Sequence, residues 1–74
     1  MEIIKSIESF NPELRGKAIK FSMYEEGMGE NMHNVGLVKE VKQDRIFLIL
    51  SDTSETTLYL KDYKNENLRI NVLA

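Results

Sequence analysis

Apolar residues recur at every second position through much of this 74-residue chain, and that period of two is the strongest constraint on its fold. Ile19, Phe21 and Met23 alternate with polar neighbours, which is typical of a strand with one buried face. The same alternation returns in three later segments, 35–41, 58–60 and 68–73. The sequence therefore predicts a series of short strands.

One further strand is predicted by a run without polar positions. Residues 46–50 are consecutive apolar side chains, which indicates a central strand buried on both faces or a barrel strand with a covered outer face. Turn candidates bound it, at Gln43 and Asp44 and at 51–55. Gly36 predicts a bulge or bend in the preceding strand, whose alternation loosens near Glu40. Because open edges on short strands invite aggregation, we expect closure into a small barrel.

The first ten residues follow a different period. Ile3, Ile4, Ile7 and Phe10 share one stripe of a helix, which predicts a short amphipathic helix over 1–10 that docks on the strands. Residues 11–16 supply an N-cap asparagine, a proline at the first helical position and a terminating glycine, so a single helical turn is expected there. The stretches 25–33 and 62–67 have no clear period and are predicted to be connectors.

Three stretches together carry a likeness to a known family. They are Leu14-Arg15-Gly16-Lys17 before the strand at 19–24, Gly36-Leu37-Val38 before the apolar run at 46–50, and Leu60-Lys61-Asp62. In that order they resemble the opening, the bent second strand with its turn and third strand, and the second motif of Sm-like proteins, the Lsm and Hfq group. The family's base-binding asparagine has no counterpart, since Arg45, Ile46 and Phe47 occupy that stretch. No functional residue is therefore carried over.

A second likeness concerns the spacing of strands and glycines around Tyr24, Gly27 and Gly36. That spacing is similar to the one in the bacterial YolD-like domains, which are small SH3-like barrels that follow a helix. Both resemblances imply one α+β domain over 1–74. An N-terminal helix and turn (1–16) would pack on a five-stranded antiparallel SH3/Sm-like small barrel (17–73).

Composition excludes several kinds of chemistry. The chain has no cysteine, which rules out disulfides, thiolate zinc sites and a cysteine nucleophile. It also lacks a Ser-His-acid spacing and a glycine-rich phosphate loop after a strand. A small barrel is filled by its own side chains, which leaves little room for a substrate. We therefore expect neither an enzyme nor a cofactor.

One cluster could be drawn as a metal site. It combines His33 with Glu25, Glu26 and Glu30, in a stretch that contains two glycines. Metal ligands need a defined spacing, and this stretch does not supply one. We interpret the cluster as a solvated acidic loop and predict no metal.

The same loop is the leading candidate for a protein-contact surface. Met28 and Met32 are flexible apolar side chains in a polar stretch, and such side chains adapt to irregular surfaces. They serve either as a lid over the barrel or as a contact surrounded by acidic residues. The candidate contact residues are Tyr24, Glu25, Glu26, Met28, Glu30 and Met32.

Basic residues suggest an alternative, an Sm-like protein that binds RNA. The candidates are Lys17, Lys20, Lys39, Lys42 and Arg45, with Tyr24 or Tyr59 as a stacking surface. However, the net charge is −2, and Glu40 and Asp44 interleave with the second group. Interspersed signs usually mark a solvated face, so nucleic acid ranks second and an enzyme third.

The leading hypothesis is a small non-catalytic binding or regulatory module that acts through protein contacts. The last strand, 68–73, has an edge that little protects, so a homodimer or higher oligomer through an edge strand is expected. No apolar run has the length of a secretory or membrane-spanning segment, and the expected location is the cytoplasm. The many Lys, Glu, Asn and Ile residues are typical of an AT-rich genome, bacterial or phage.

Overall fold

A five-stranded antiparallel sheet organises the chain. The computed structural model describes residues 1–6, 8–24 and 31–73, with 31–33 described by their backbone alone. Within these ranges the strands are β1 (Ile4–Ser6), β2 (Ser9–Phe10), β3 (Ala18–Tyr24), β4 (Asn31–Val41), β5 (Arg45–Leu50), β6 (Glu55–Tyr59) and β7 (Leu68–Val72). A 3₁₀ turn spans Pro12–Leu14, and a short helix, α1, spans Leu60–Lys64.

The strand order is β6-β5-β4-β3-β7, with every neighbouring pair antiparallel. Strands β3 to β6 form a meander, and β7 returns to the far side of β3. This arrangement confirms the predicted five-stranded antiparallel sheet, with strands where the alternation placed them. The sheet is not closed, because β6 and β7 form its two edges.

One face of the sheet forms the core. It carries Ile19 and Phe21 from β3 and the fully buried Ile46 and Leu48 from β5. The other core positions on the sheet are Val38, Leu58, Leu68 and Ile70. The apolar run on β5 is therefore buried mainly on one side, since Phe47 is only half-buried.

The predicted N-terminal helix over 1–10 is wrong. The two short strands β1 and β2 pair instead and place Ile4 opposite Phe10. The Phe10 N–H donates to the Gln43 carbonyl at 3.0 Å, and the Phe10 ring is buried. An isolated ten-residue helix is marginal and its isoleucines are poor helix formers, so tertiary pairing decides the conformation. Ile7 lies outside the described residues.

The predicted single helical turn is confirmed at Pro12–Leu14. The Asn11 side-chain oxygen accepts from the Glu13 N–H at 3.0 Å, and Leu14 is fully buried. Gly16 follows with a φ of +82°, a left-handed conformation that favours glycine. The turn thus connects β2 to β3.

Two predicted boundaries are corrected. The strand at 58–60 ends at Tyr59, and Leu60 begins α1, so part of the predicted 62–67 connector is helical. Leu60 stays in the core because the helix turns its side chain inward. The predicted loop over 25–33 is too long, since Asn31 already pairs with Tyr24 as β4 begins. Residues 25–30 lie outside the described part of the chain.

The irregularity predicted in the second strand of the sheet is confirmed. The register of β4 against β5 shifts between Val38 and Glu40, where Lys39 is the extra residue of a bulge. Gly36 lies two residues before the shift, on the buried face with Val38. The bulge turns β4 so that the side chains after it change face.

Candidate functional site

The most unusual surface is the face of the sheet that points away from the core. Val35 and Leu37 on β4 are each 49% exposed, although both are large and apolar. Leu73, just after β7, is 55% exposed. We define the outer patch by the apolar residues of this face: Ala18, Val35, Leu37, Phe47, Ile49 and Leu73.

Strand register places the members of the outer patch side by side. Leu37 pairs with Ala18 on one side and with Ile49 on the other. The Leu73 N–H donates to the Ala18 carbonyl at 2.8 Å, which extends the row beyond β7. Directly paired residues stand about 4.5 to 5.5 Å apart at Cβ. The row therefore forms a continuous apolar strip across β3, β4 and β5, with Leu73 at its end just after β7.

An ion pair bounds the outer patch near β6. The Lys39 ammonium lies 2.8 Å from the Glu55 carboxylate, across β5. The hydrogen bond from Lys39 and its positive charge hold the pKa of Glu55 below its ordinary value. Both partners are exposed, so the pair adds little stability but leaves this border electrically neutral.

The opposite border of the outer patch is positively charged. Lys20 lies directly opposite Val35 on β4 and opposite Asn71 on β7. Arg69 pairs in register with Ser22 one row further along. Both basic side chains are exposed, and neither forms an ion pair within residues 1–6, 8–24 and 31–73.

The five basic residues proposed to bind nucleic acid fall into two groups in the structure, those paired with an acidic side chain and those without such a pair among the described residues. Three are neutralised by acidic neighbours: Lys39 by Glu55, Lys42 by Glu40 at 3.2 Å, and Arg45 by Asp44 at 3.1 Å. Of the other two, Lys17 directly precedes β3 and Lys20 lies on it, and neither is joined to the first three by a common patch of unpaired charge.

Arg45 has a second partner besides Asp44. Its guanidinium lies 5.3 Å from the centre of the Tyr59 ring, and the Lys61 ammonium lies 5.7 Å from the same ring. The hydrogen bond from Arg45 lowers the pKa of Asp44. Tyr59, proposed as a stacking surface, is thus already beside two cations.

Most of the proposed protein-contact residues lie where the structure gives no description. Glu25, Glu26, Met28 and Glu30 lie outside the described residues, and so does the choice between a lid and a contact surface. Tyr24 ends β3 and is 50% exposed. Met32 belongs to β4, opposite Met23, and only its backbone is described. The cluster around His33 also falls outside the described side chains.

Sequence reasoning missed the outer patch. The alternation on β4 correctly separates Val35 and Leu37 from Gly36 and Val38, but it does not say which set is buried. Gly36 was the available signal. A glycine in a strand often marks the side where another element approaches closely, which here is the core side.

A groove of about 710 Å³ lies beside β7. Its walls include Ile4 from β1, Tyr63 from α1, and Leu68 and Ile70 from β7. Among the described residues no three His, Cys, Asp or Glu side chains are grouped as metal ligands would be. In the same part of the chain, no helix has the length and hydropathy needed to cross a membrane.

Comparisons with protein-family models, with curated proteins and with solved structures give no match to this chain. Its candidate sites therefore rest on geometry and chemistry alone.

Proposed function

We propose that this chain is a small non-catalytic binding module that acts through protein contacts, with the outer patch as its contact surface. The observation that carries this proposal is the pair Val35 and Leu37, each half-exposed on the outer face of β4, with Leu37 in the middle of a continuous apolar row. Scattered apolar residues are common on surfaces, but contiguous patches bordered by polar groups mark interaction sites.

The borders of the outer patch define the partner's chemistry. The Lys39–Glu55 pair is neutral, whereas Lys20 and Arg69 add positive charge at the other border. The complementary partner is an apolar segment of another protein with acidic residues along one side. Charged borders of this kind steer association and select the partner, while the apolar centre supplies the affinity.

The strand arrangement supports relating the fold to SH3-like or Sm-like small barrels. A four-strand meander is followed by the short helix α1, and β7 then returns to β3. This relation adds nothing to the choice of partner, because fold alone does not determine function.

The test uses capture from lysate with three matched variants. Val35→Thr with Leu37→Thr keeps good strand formers but removes the apolar contact, and Lys20→Glu reverses the border charge. Lys5→Glu makes the same charge change on β1 and serves as the control. The proposal is supported if the wild type and Lys5→Glu retain a protein that the other two variants lose, and if that protein binds through an apolar segment flanked by acidic residues. Equal retention by all variants contradicts it.

The second candidate function is RNA binding on the outer face of β3. It is favoured by Lys20 and Tyr24, which share one face of β3 and are both exposed. Binding of a labelled single-stranded RNA should then weaken steeply with added salt and with Lys17→Glu plus Lys20→Glu. If neither added salt nor the two substitutions weaken binding of the RNA, this function is excluded.

A further inference from the structure

The centre of the outer patch lies in the interior of the sheet, away from both edge strands. Strand β4 pairs with β3 on one side and with β5 on the other. Strands β3 and β5 pair in turn with β7 and β6 on their far sides. The backbone N–H and C=O groups beneath the patch are therefore engaged in the sheet ladders. A segment that covers the patch must bind through its side chains and satisfy its own backbone groups.

We infer that the outer patch binds an amphipathic α-helix of its protein partner. A helix forms its backbone hydrogen bonds internally, so it can lay one apolar stripe on a surface whose backbone groups are already paired. An extended segment on the same face would have no strand to pair with, and its backbone groups would need water within an apolar contact. This inference rests on the proposed contact function of the outer patch and specifies the structure of the segment bound there.

The dimensions of the outer patch match about three turns of a helix. Val35 and Leu37 are neighbours on one face of β4, Phe47 and Ile49 are neighbours on the same face of β5, and Leu37 lies opposite Ile49. Neighbours on one face of a strand stand about 6.8 Å apart, so Val35 and Phe47 are separated by roughly 14 Å along the strands. A helix rises about 5.4 Å per turn and is about 10 Å wide, close to the span of three strands.

Charge determines which flank of the bound helix is acidic. Lys20 lies directly opposite Val35, on the β3 side of the patch, and Arg69 lies on β7 one row further along. Among the described residues neither side chain has an ion-pair partner. On the other side of the patch, Glu55 is already paired with Lys39. The flank of the helix that faces β3 should therefore carry acidic residues, and the flank that faces β6 should be neutral.

The first experiment selects peptides that bind the full chain from two displayed libraries of equal length and composition. One library spaces its apolar residues three and four positions apart, as on one face of a helix, and the other alternates them as in a strand. Binders that also bind the variant with Val35→Thr and Leu37→Thr are removed. Both substituted side chains are half-exposed, and circular dichroism checks that the variant keeps its sheet.

The helix-patterned library should yield at least about tenfold more of the binders that need the patch. Equal yields from the two libraries overturn the inference. So does a preference for the strand pattern, or a selection in which neither library gives a binder that needs Val35 and Leu37.

The second experiment tests whether a selected peptide is helical when it is bound. Proline replaces a solvent-facing residue of the middle turn, and alanine at the same position is the matched control. Proline in a helix interior removes a hydrogen bond and clashes with the preceding turn, so it should weaken binding by about tenfold or more, whereas alanine should change it little. Fluorescence anisotropy of the labelled peptide measures both affinities.

The outcome of the proline test separates this inference from the proposed function. A peptide that tolerates proline but still needs Val35 and Leu37 overturns the helix and leaves the outer patch as a contact surface. Peptides that bind equally to the wild type and to the variant with both threonine substitutions contradict the helix and the proposed function together.

The third experiment exchanges charge between the two partners. Lys20→Glu should weaken binding of a selected acid-flanked peptide about threefold to tenfold, and lysines in place of that peptide's acidic residues should restore it. Lys5→Glu makes the same charge change on β1 and should leave both peptides unaffected. Equal losses for the acidic and the basic peptide overturn the orientation of the helix.

A second copy of the chain is the competing occupant of the outer patch. It would appear in light scattering as a mass of about twice 8.6 kDa that returns to 8.6 kDa in the variant with Val35→Thr and Leu37→Thr. That result overturns the inference. The expected result is a wild-type chain of 8.6 kDa that gains mass only when a selected helical peptide is added.

Discussion

Gly36 of β4 lies directly opposite Leu50 of β5, and a Cβ added at Gly36 would stand 3.1 Å from a Leu50 methyl group. The same Cβ would lie 3.2 Å from the Ile49 carbonyl oxygen, a backbone atom that cannot move aside without disturbing the ladder. The two strands are therefore packed as closely as glycine permits.

Gly36→Ala should consequently lower the free energy of unfolding by about 1 to 3 kcal/mol, the usual cost of overpacking. Urea unfolding followed by circular dichroism measures this loss. Adding Leu50→Ala should recover part of it, because that change removes the nearest of the three close contacts, the third being a Leu48 methyl group at 3.3 Å. If the losses of unfolding free energy caused by the two changes simply add, the contact with Leu50 is not responsible for the cost of Gly36→Ala.

Asn11 joins the N-terminal segment to the 3₁₀ turn. Its side-chain N–H donates to the Glu2 carbonyl at 2.8 Å while its oxygen caps Glu13, and the residue is 7% exposed. Asn11→Ala should cost about 1 to 3 kcal/mol, since both bonds are lost in a buried place. The exposed Asn65→Ala should change the stability little.

A carboxylate at the same position gives a sharper result. Asn11→Asp retains the cap but faces the Glu2 carbonyl with a second oxygen acceptor. Its cost should be largest at neutral pH and should shrink toward about pH 4, where the carboxyl regains a proton to donate. A cost that does not change with pH would mean that the bond to Glu2 contributes little.

The β5–β6 turn holds Thr53 in an unfavourable backbone conformation. Its φ is +69°, which a β-branched residue rarely adopts, while the Asp52 carboxylate accepts from the Ser54 N–H at 3.0 Å. Thr53→Gly should raise the free energy of unfolding by up to about 1 kcal/mol, because the strain is removed. Ser51→Gly, which relieves no positive φ, is the control and should be neutral or destabilising. An equal effect of both changes would contradict the role of strain.

Acid should destabilise the fold through three surface carboxylates, Asp44, Asp52 and Glu55. Hydrogen bonds from Arg45, Ser54 and Lys39, respectively, lower their pKa values below the ordinary 3.8 for aspartate and 4.5 for glutamate. The unfolded chain therefore takes up protons first as the pH falls. Their stabilising contribution is complete above the ordinary pKa values and is lost as the pH falls through the lower folded values.

Glu55→Gln isolates one of these contributions. The variant should lose stability at neutral pH and should show a shallower decline than the wild type as the pH falls below about 5. Added salt should weaken the difference, because both partners of the ion pair are exposed. Denaturant midpoints across the acidic range measure both effects, and parallel curves would contradict the assignment.

The sheet could be predicted from sequence because a strand with one buried face has apolar residues at every second position, as at Ile19 and Phe21. The N-terminal hairpin could not. The spacing that suggests a helix also suits Ile4 placed opposite Phe10, and only contact with Gln43 distinguishes the two. The outer patch was hidden for a related reason. Alternation shows that Val35 and Leu37 share a face, but the inner face is determined by packing around Gly36.

The position of β3 between β4 and β7 also determines the order in which the fold can be completed. Its ladder with β4 joins strands that follow each other in the sequence, whereas its ladder with β7 cannot form until the last strand of the chain docks. Such distant pairing slows folding and leaves intermediates exposed. Until β7 arrives, Ile19 and Phe21 belong to an open, apolar strand. The yield of folded protein should therefore depend on how quickly β7 docks, more than on the stability of the finished sheet.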